Sequence, residues 1–388
     1  MDFERQSTIL ITCSPGLGGC LARETEALGF PLLGGSGDRG VVTRGTLADT
    51  MVLNLRLRTA FNVLYRISRF PCPHPEALYG KVRSLPWERF VPPGEEITVT
   101  TRVRTPSVDN TMFPALKVKD GVVDRLAAAR GGRPDSGREK RGVVIHLTWV
   151  GREATLHLNT SGRKISDRGY RRIPGRAPLR ENLAAGILLT AGYTGREPLA
   201  NPMCGSGTLA IEAALIAAGR APGLLRDDYG VMHLADFPRE RWEELRRRLR
   251  REPPPGGIAP IVASDIDPAA VAGAERNART AGVEELIRFE TADFADTTLP
   301  GDPGLVILNP AYGERLEGEK GEELAALYRR IGDFFKQRCA GWRGFLFTGN
   351  RELAKSVGLR TRRRHIFFNG RIECRLLEYE LYPGSRKP

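Results

Sequence analysis

The sequence lacks any apolar run approaching the roughly 20 residues that span a bilayer, and its first ten residues include two acidic side chains. Its six cysteines are scattered, with no paired metal-ligand spacing. These absences predict a cytoplasmic protein with reduced thiols, no signal peptide and no metal. Cys72 and His74 stand close together among prolines, a pattern more typical of a loop than of a metal site.

Acidic residues are scarce in only one part of the chain. The 388 residues hold 59 Lys and Arg against 46 Asp and Glu, a net charge of +13. Residues 1–180 contain 29 basic and 17 acidic side chains, a surplus of 12, whereas the other 208 contain 30 and 29. The N-terminal half therefore has the charge of a surface that attracts a polyanion.

The length predicts two or three domains. Residues 1–65 have the pattern of a small α/β unit. Residues 66–165 differ: strands are predicted at Val82–Leu85 and Ile97–Val103, followed by a helix over Phe113–Arg130 and a hairpin. Gly162 to Arg180, dense in Arg, Gly and Pro, is the best candidate for a linker.

Strands and helices alternate after the linker, beginning with a helix at Glu181. This alternation predicts a mostly parallel, doubly wound sheet. A hairpin signal around Asn369-Gly370 near the end predicts an added antiparallel strand. The predicted strands are Pro198–Asn201, Ile261–Asp265, Ile287–Thr291, Gly304–Leu308 and Gly344–Thr348.

A glycine-containing turn connects the first of these strands to a helix. It carries Asn201, Cys204, Gly205, Ser206, Gly207 and Thr208. The glycines allow a ligand to approach the backbone, and the helix N-terminus offers free N–H groups. Ala210 replaces the third glycine of a dinucleotide fingerprint, a change that leaves a nicotinamide cofactor open as an alternative.

Acidic residues follow the next two strands. Asp265, followed by Ile266, is placed to accept hydrogen bonds from both ribose hydroxyls of a nucleotide. Asp267 precedes Pro268 and is expected to cap the following helix or to make a second contact. Asp293 and Phe294 are candidates for contacting an adenine ring, although an Asp here is also a common turn residue.

The residues with the most specific chemistry end the fourth strand: Asn309, Pro310, Ala311 and Tyr312. An exocyclic amino nitrogen is a poor nucleophile because its lone pair is delocalised into the ring. The Asn309 side-chain oxygen and the Pro310 carbonyl can accept its two hydrogens and favour a nucleophilic geometry. Tyr312 can stack on the base. The motif therefore predicts methylation of an amino nitrogen, with Asn309, Pro310 and Tyr312 as catalytic residues.

Together these segments resemble the THUMP-domain RNA guanine-N2 methyltransferases of bacteria and archaea. The resemblance covers nearly the whole chain and includes Gly169-Tyr170-Arg171 and the insertion at Ala221-Pro222-Gly223-Leu224. It implies a ferredoxin-like domain over 1–65, a THUMP domain over 66–165, a linker over 166–182 and a class I Rossmann-like methyltransferase domain over 183–388. Some relatives carry a second methyltransferase domain at the C-terminus.

The resemblance also implies S-adenosylmethionine as the cofactor and RNA as the partner, with ribosomal RNA favoured over tRNA and a monomer favoured. The segment around Cys204, Gly205 and Gly207 would hold the methionine part of the cofactor, Asp265 the ribose and Asp293 the adenine. This sequence departs from the family at Asn201, where Asp is usual, and at Ala311, where a second proline is usual. These changes put a contact to the methionine amino group and the reaction rate in doubt.

Three alternatives stay open. The same catalytic motif serves adenine-N6 methylation, and a decayed site would leave an RNA-binding assembly factor. A nicotinamide oxidoreductase is disfavoured by the closing hairpin. Two arginine-rich segments, 246–251 and 360–364, are candidates for extra phosphate contacts, but a solvated helix and an exposed strand start explain them equally well.

Overall fold

The computed structural model describes residues 1–110, 112–131, 142–172, 179–311 and 319–382. The strands are β1 (Gln6–Cys13), β2 (Gly40–Thr46), β3 (Ala60–Pro71), β4 (Ile97–Arg104), β5 (Val143–Val150), β6 (Glu153–Asn159), β7 (Leu199–Pro202), β8 (Ile261–Asp265), β9 (Ile287–Thr291), β10 (Leu305–Leu308), β11 (Arg343–Thr348), β12 (Arg363–Asn369) and β13 (Ile372–Glu380). The helices are α1 (Gly18–Ala27), α2 (Asp49–Arg56), α3 (Pro75–Ser84), α4 (Phe113–Arg130), α5 (Glu181–Thr190), α6 (Thr208–Ala217), α7 (Arg239–Arg251), α8 (Pro268–Ala281), α9 (Glu319–Arg338) and α10 (Arg351–Lys355).

The chain forms two compact units, and the first is built mainly from residues 1–13, 21–167 and 226–249. Its six-stranded sheet has the order β2-β1-β3-β6-β5-β4. All neighbours are antiparallel except β4 and β5. The central strand β3 pairs with β1 on one side and β6 on the other, so it joins the first 60 residues to the later strands in one sheet.

Two elements of this unit differ from the sequence prediction. The predicted strand at Val82–Leu85 is wrong, because Val82 lies in the last turns of α3 and is fully buried. Val82 packs against α4 at Gly121, where an added Cβ would lie 2.9 Å from Val82 Cγ1. The long strand β3 was not predicted at all. It contains the expected domain boundary at residues 65 and 66, and the proposed boundaries stay a prediction.

The second unit contains the seven-stranded sheet, in the order β12-β13-β11-β10-β7-β8-β9. The strands from β11 to β9 in this order run parallel, and β13 is antiparallel to both of its neighbours. This confirms the predicted fold class, including the closing hairpin. Tyr328, Ile331 and Phe335 of α9 belong to one buried hydrophobic cluster with Leu346 of β11 and Tyr379 of β13.

Parallel strands end at one edge of the sheet, which brings the segments after β7, β8, β9 and β10 together. The arginines at the start of β12 are positioned by the strand register. Arg364 pairs with Leu377 of β13, Leu377 with Leu346 of β11, and Leu346 with Leu308 at the end of β10. These arginines therefore lie close to the level of the end of β10 but three strands away from it, and their contact with phosphate stays a prediction.

The segment expected to be a linker is partly packed into the second unit. Arg168 is buried and forms an ion pair with the buried Glu212 of α6, and Tyr170 donates a hydrogen bond of 2.9 Å to the same carboxylate. Residues 173–178 of the expected linker lie outside the described residues. In α7, Trp242, Leu245, Arg246 and Leu249 are buried, while Arg247, Arg248 and Arg250 are exposed. No helix among the described residues is long and apolar enough to cross a membrane.

Candidate active site

The turn after β7 has a backbone that few residue types adopt. Three of its residues have positive φ angles: Met203 at +59°, Gly205 at +53° and Gly207 at +76°. A Cβ added to Gly205 would meet nothing within 4 Å, whereas one added to Gly207 would lie 2.8 Å from the Cβ of Ala274 in α8. Gly205 therefore leaves space open in front of the turn, and Gly207 permits the close packing of α6 on α8.

Asp265 connects this turn to the end of β8. Its Oδ2 accepts a hydrogen bond of 2.9 Å from the backbone N–H of Gly205, and its Oδ1 accepts one of 3.1 Å from the N–H of Asp267. Asp267 caps α8, since its side chain accepts from the N–H of Ala269 at 2.8 Å. Asp265 thus faces the turn, while Asp267 has the capping role that its position before Pro268 predicts.

Two asparagine side chains present unsatisfied acceptors at the ends of β7 and β10. The Nδ2 of Asn201 donates a hydrogen bond of 2.9 Å to the carbonyl of Ile307, just beyond the last backbone pair of these strands, Val306 with Ala200. Within the described part of the chain, the buried Oδ1 atoms of Asn201 and Asn309 accept no hydrogen bond. Because a buried acceptor without a donor costs about 1–3 kcal/mol, both atoms are candidates for contacting a ligand.

Asp293 and Phe294, after β9, are held by Arg330 of α9. The Oδ1 of Asp293 accepts hydrogen bonds from the N–H of Ala295 at 2.9 Å and from Arg330 at 2.8 Å. Burial raises the pKa of the Asp293 carboxyl, but these two donors outweigh it and the pKa lies below its ordinary value. The Arg330 guanidinium also lies 4.9 Å from the centre of the Phe294 ring, which is buried. Asp293 is therefore an anionic acceptor at this position.

These segments enclose a cleft of about 440 Å³, within the usual size range of small-molecule sites. Its lining includes eleven residues predicted from the sequence: Asn201, Cys204, Gly205, Ser206, Thr208, Asp265, Ile266, Asp293, Phe294, Asn309 and Pro310. Gly207 does not line the cleft and acts in packing. Tyr312 lies outside the described residues, so its catalytic role stays a prediction.

Sequence reasoning missed part of the lining: Leu179, Met203, Leu209, Leu327 and Arg330. Met203 and Leu209 directly flank predicted residues and could have been included. Leu327 and Arg330 are three residues apart on α9, so they share a helix face, but nothing in the sequence indicates which face meets the cleft. Leu179 lies within the segment predicted to be a linker, where no ligand contact was expected.

The described His and Cys side chains that were candidates for metal binding or for reactive thiols have other surroundings. No group of three or more His, Cys, Asp or Glu side chains within the described ranges could hold a metal ion. His74 instead caps α3, accepting from the N–H of Ala77 at 3.3 Å, and burial raises the pKa of Cys72 to about 11. Burial, with the nearby Asp265 carboxylate, also raises the pKa of the Cys204 thiol, which keeps it uncharged.

The sheet order, the glycine turn and the carboxylates after β8 and β9 define a class of protein, the Rossmann-like methyltransferases. The chain belongs to the RMKL-like methyltransferase family, whose domain model matches residues 168–378. Models of the RlmL ferredoxin-like domain and the THUMP domain match residues 8–64 and 74–159. The family resemblance inferred from the sequence is confirmed, and the cofactor of this family is S-adenosylmethionine.

A curated relative and two solved structures place the chain more closely. It is 38% identical to "Ribosomal RNA large subunit methyltransferase K/L" of Syntrophotalea carbinolica over 380 residues, 95% of this chain and 53% of the relative. The chain therefore spans about half the length of the curated relatives it matches. "A possible methylase from Clostridium difficile 630" is 26% identical with a TM-score of 0.87, covering 99% of this chain and all of that one. "A predicted N6-adenine-specific DNA methylase" of Listeria monocytogenes is 27% identical with a TM-score of 0.83, covering 97% of each chain.

Proposed function

We propose that this protein transfers a methyl group from S-adenosylmethionine to the exocyclic N2 of guanine in RNA of the large ribosomal subunit. The observation that carries the proposal is the Oδ1 of Asn309, a buried acceptor with no donor among the described residues. It stands beside Pro310 in the cleft, at the carboxyl end of β10. A target amino group would supply the missing donor.

The acceptor pair would orient the amino group for methylation, and the proton that the nitrogen loses as it gains the methyl group would pass to solvent. The Asn309 oxygen and the Pro310 carbonyl would each take one N–H of the amino group and orient the nitrogen lone pair. The Tyr312 ring would hold the base by stacking. The bound cofactor supplies an electrophilic methyl group, so no nucleophilic side chain is required.

The donors and acceptors of the cleft fit the cofactor. Asn201 Oδ1 would accept from its amino group, and the open space in front of Gly205 would receive its methionine part along the segment Cys204–Thr208. Asp265 and Ile266 would hold the ribose, and Asp293 and Phe294 would lie at the adenine. The Oδ1 of Asp293 already accepts two hydrogen bonds, which leaves Oδ2 for the adenine amino group.

Ribosomal RNA is proposed over tRNA because the curated relatives are named as ribosomal RNA large subunit methyltransferases. The THUMP match and the basic surplus of residues 1–180 support an RNA substrate. We propose that the protein acts in the cytoplasm, where this substrate is made in bacteria. A monomer stays a prediction.

The test is incubation of the protein with methyl-labelled S-adenosylmethionine and a 23S rRNA transcript, followed by nucleoside analysis. Label is expected in N2-methylguanosine. Asn309→Ala should lower the rate at least about a hundredfold, as for the loss of one preorganised polar group. Asn369→Ala, at the last residue of β12, is the matched control and should retain activity.

Adenine-N6 methylation is the second candidate, because a structural neighbour carries the name of an N6-adenine-specific DNA methylase. Label in N6-methyladenosine would favour this activity over the proposed one. RNA binding with no binding of S-adenosylmethionine by calorimetry would instead favour an RNA-binding assembly factor.

A further inference from the structure

A cavity of the first unit is lined by none of the residues discussed above as catalytic or cofactor-binding. Its volume is about 820 Å³. It is lined by the start of β1, by the second half of β3 and by residues that flank the turn Trp87–Arg89. Five arginines line it: Arg5, Arg44, Arg66, Arg69 and Arg89. We call this cavity the arginine cleft.

Strand register explains how arginines from distant parts of the sequence face one side of the sheet. Thr8 of β1 pairs with Arg44 of β2, and Ile9 pairs with Tyr65 of β3. The pairing of β1 with β3 ends at Ile9 and Tyr65. Extending this register by one position sets Thr8 beside Arg66, and we infer from it that Arg44, Thr8 and Arg66 share one row. Ile9 and Tyr65 are buried on the other face. At a strand spacing of about 4.8 Å, the two arginines begin about 10 Å apart.

A β-bulge adds a third arginine to this face. Residues three apart on a regular strand point to opposite faces, but the register of β3 shifts between Arg66 and Ser68. Arg66 pairs with His157 and Arg69 with Thr155. His157 and Thr155 are two residues apart on β6 and share a face, so Arg66 and Arg69 also share one.

Most of this positive charge is not neutralised within the protein. Arg69 forms an ion pair of 2.7 Å with Glu153. In the described ranges, no carboxylate forms an ion pair with Arg5, Arg44, Arg66 or Arg89, and Asp2 is the only other acidic residue of the lining. A concave surface with several uncompensated guanidinium groups concentrates positive potential and attracts anions.

We propose that the arginine cleft binds the phosphate backbone of RNA. Guanidinium groups match phosphate oxygens with paired donors, and the row across β2, β1 and β3 offers several such sites along a path. Of the three aromatic residues in the lining, Tyr65 and Phe70 are buried and only Phe90 is partly exposed, so arginines outnumber the rings that could stack on bases. The cleft therefore positions RNA without reading its sequence. The inference rests on the proposed function only in taking RNA as the substrate.

The test compares two triple variants of the full chain that lose the same charge. One replaces Arg44, Arg66 and Arg89 with Ala. The control replaces Arg39, Arg83 and Arg104, which are exposed and do not line the cleft. Affinity for a 23S rRNA fragment is measured by fluorescence anisotropy at several salt concentrations. Thermal unfolding and calorimetry with S-adenosylmethionine verify that both variants are folded.

The cleft variant should bind RNA tenfold or more weakly at about 0.15 M salt, and its plot of log K against log salt should flatten by about 2. The control variant should lose less than about half as much affinity as the cleft variant, and its slope should change by less than about half as much. Equal effects of the two variants would overturn the proposal, as would wild-type protein that binds an acidic polypeptide but not RNA. Wild-type protein that binds RNA through the cleft but forms no N2-methylguanosine would refute the proposed function and leave the cleft standing.

Discussion

Gly207→Ala tests whether the glycine turn is shaped by packing as well as by its ligand. Gly207 ends the turn with a φ of +76°, and α6 begins at the next residue. An alanine Cβ there would lie 2.8 Å from Ala274 Cβ and 3.2 Å from Ala274 Cα in α8. Real Cβ atoms do not approach other carbons so closely, so one of the two helices has to move.

The expected cost has two parts. A non-glycine residue in the left-handed region costs about 1–2 kcal/mol, and overpacking a close contact costs about 1–3 kcal/mol. Gly207→Ala should therefore lower the free energy of unfolding by about 2–5 kcal/mol, or the melting temperature by roughly 6–15 °C at about 3 °C per kcal/mol for a unit of this size.

Gly205→Ala is the matched control, because it has a φ of +53° and open space around its added Cβ. Gly205→Ala should lower the free energy of unfolding by only the cost of the left-handed backbone, about 1–2 kcal/mol. The loss of a glycine also restricts the unfolded chain, but this effect is the same in both variants. Since Gly205 lines the cleft and Gly207 does not, Gly205→Ala should be the one that weakens binding of S-adenosylmethionine. Thermal unfolding and calorimetry measure the two effects. Equal destabilisation by both variants, or weaker cofactor binding only in Gly207→Ala, would refute the assignment.

Three further predictions follow from single contacts. Asn201→Asp removes the donor to the Ile307 carbonyl, so it should lower the free energy of urea unfolding by about 1–3 kcal/mol; unchanged stability would contradict this hydrogen bond. Asp228, with Glu95, raises the pKa of His233 above 6.5, so its stabilisation is present below pH 6.5 and is lost as pH rises through the folded pKa; His233→Gln should flatten that part of the stability profile. Asp265→Asn should weaken binding of S-adenosylmethionine about tenfold in calorimetry, since its carboxylate accepts the N–H of Gly205.

The second sheet could be predicted well because its strands are short, buried and separated by helices with clear start signals. Asp267 and Pro268 mark the start of α8 in the sequence, and Asp267 caps this helix in the structure, where it runs from Pro268 to Ala281. Once the strands are known to be parallel, the residues that follow them must meet at one edge. The parallel arrangement therefore predicts that Asn201, Asp265, Asp293 and Asn309 lie in one site.

The first sheet was harder to predict for a physical reason. In β3 the bulge after Arg66 interrupts the alternation of buried and exposed side chains, so the strand has no clean two-residue period. In α3 the start signals were present, with His74 as cap and Pro75 in the first turn. The apolar residues Val82 and Leu85 nevertheless give this segment the pattern of a short strand. The arginine cleft depends on the bulge, which is why charge counts alone could indicate a basic half but not its binding surface.

The two departures from the family pattern differ in what they change. An aspartate at position 201 could accept from the cofactor amino group but could not donate to Ile307. Asn201 does donate, and it extends the link between β7 and β10 one residue beyond their last backbone pair while its Oδ1 stays available. Asn201 would thus offer a bound cofactor no negative charge, but it adds a hydrogen bond between the two strands. Ala311, which is exposed at the rim of the cleft, has no such compensating contact among the described residues. We therefore expect a lower reaction rate to result from Ala311 and a change in cofactor affinity to result from Asn201.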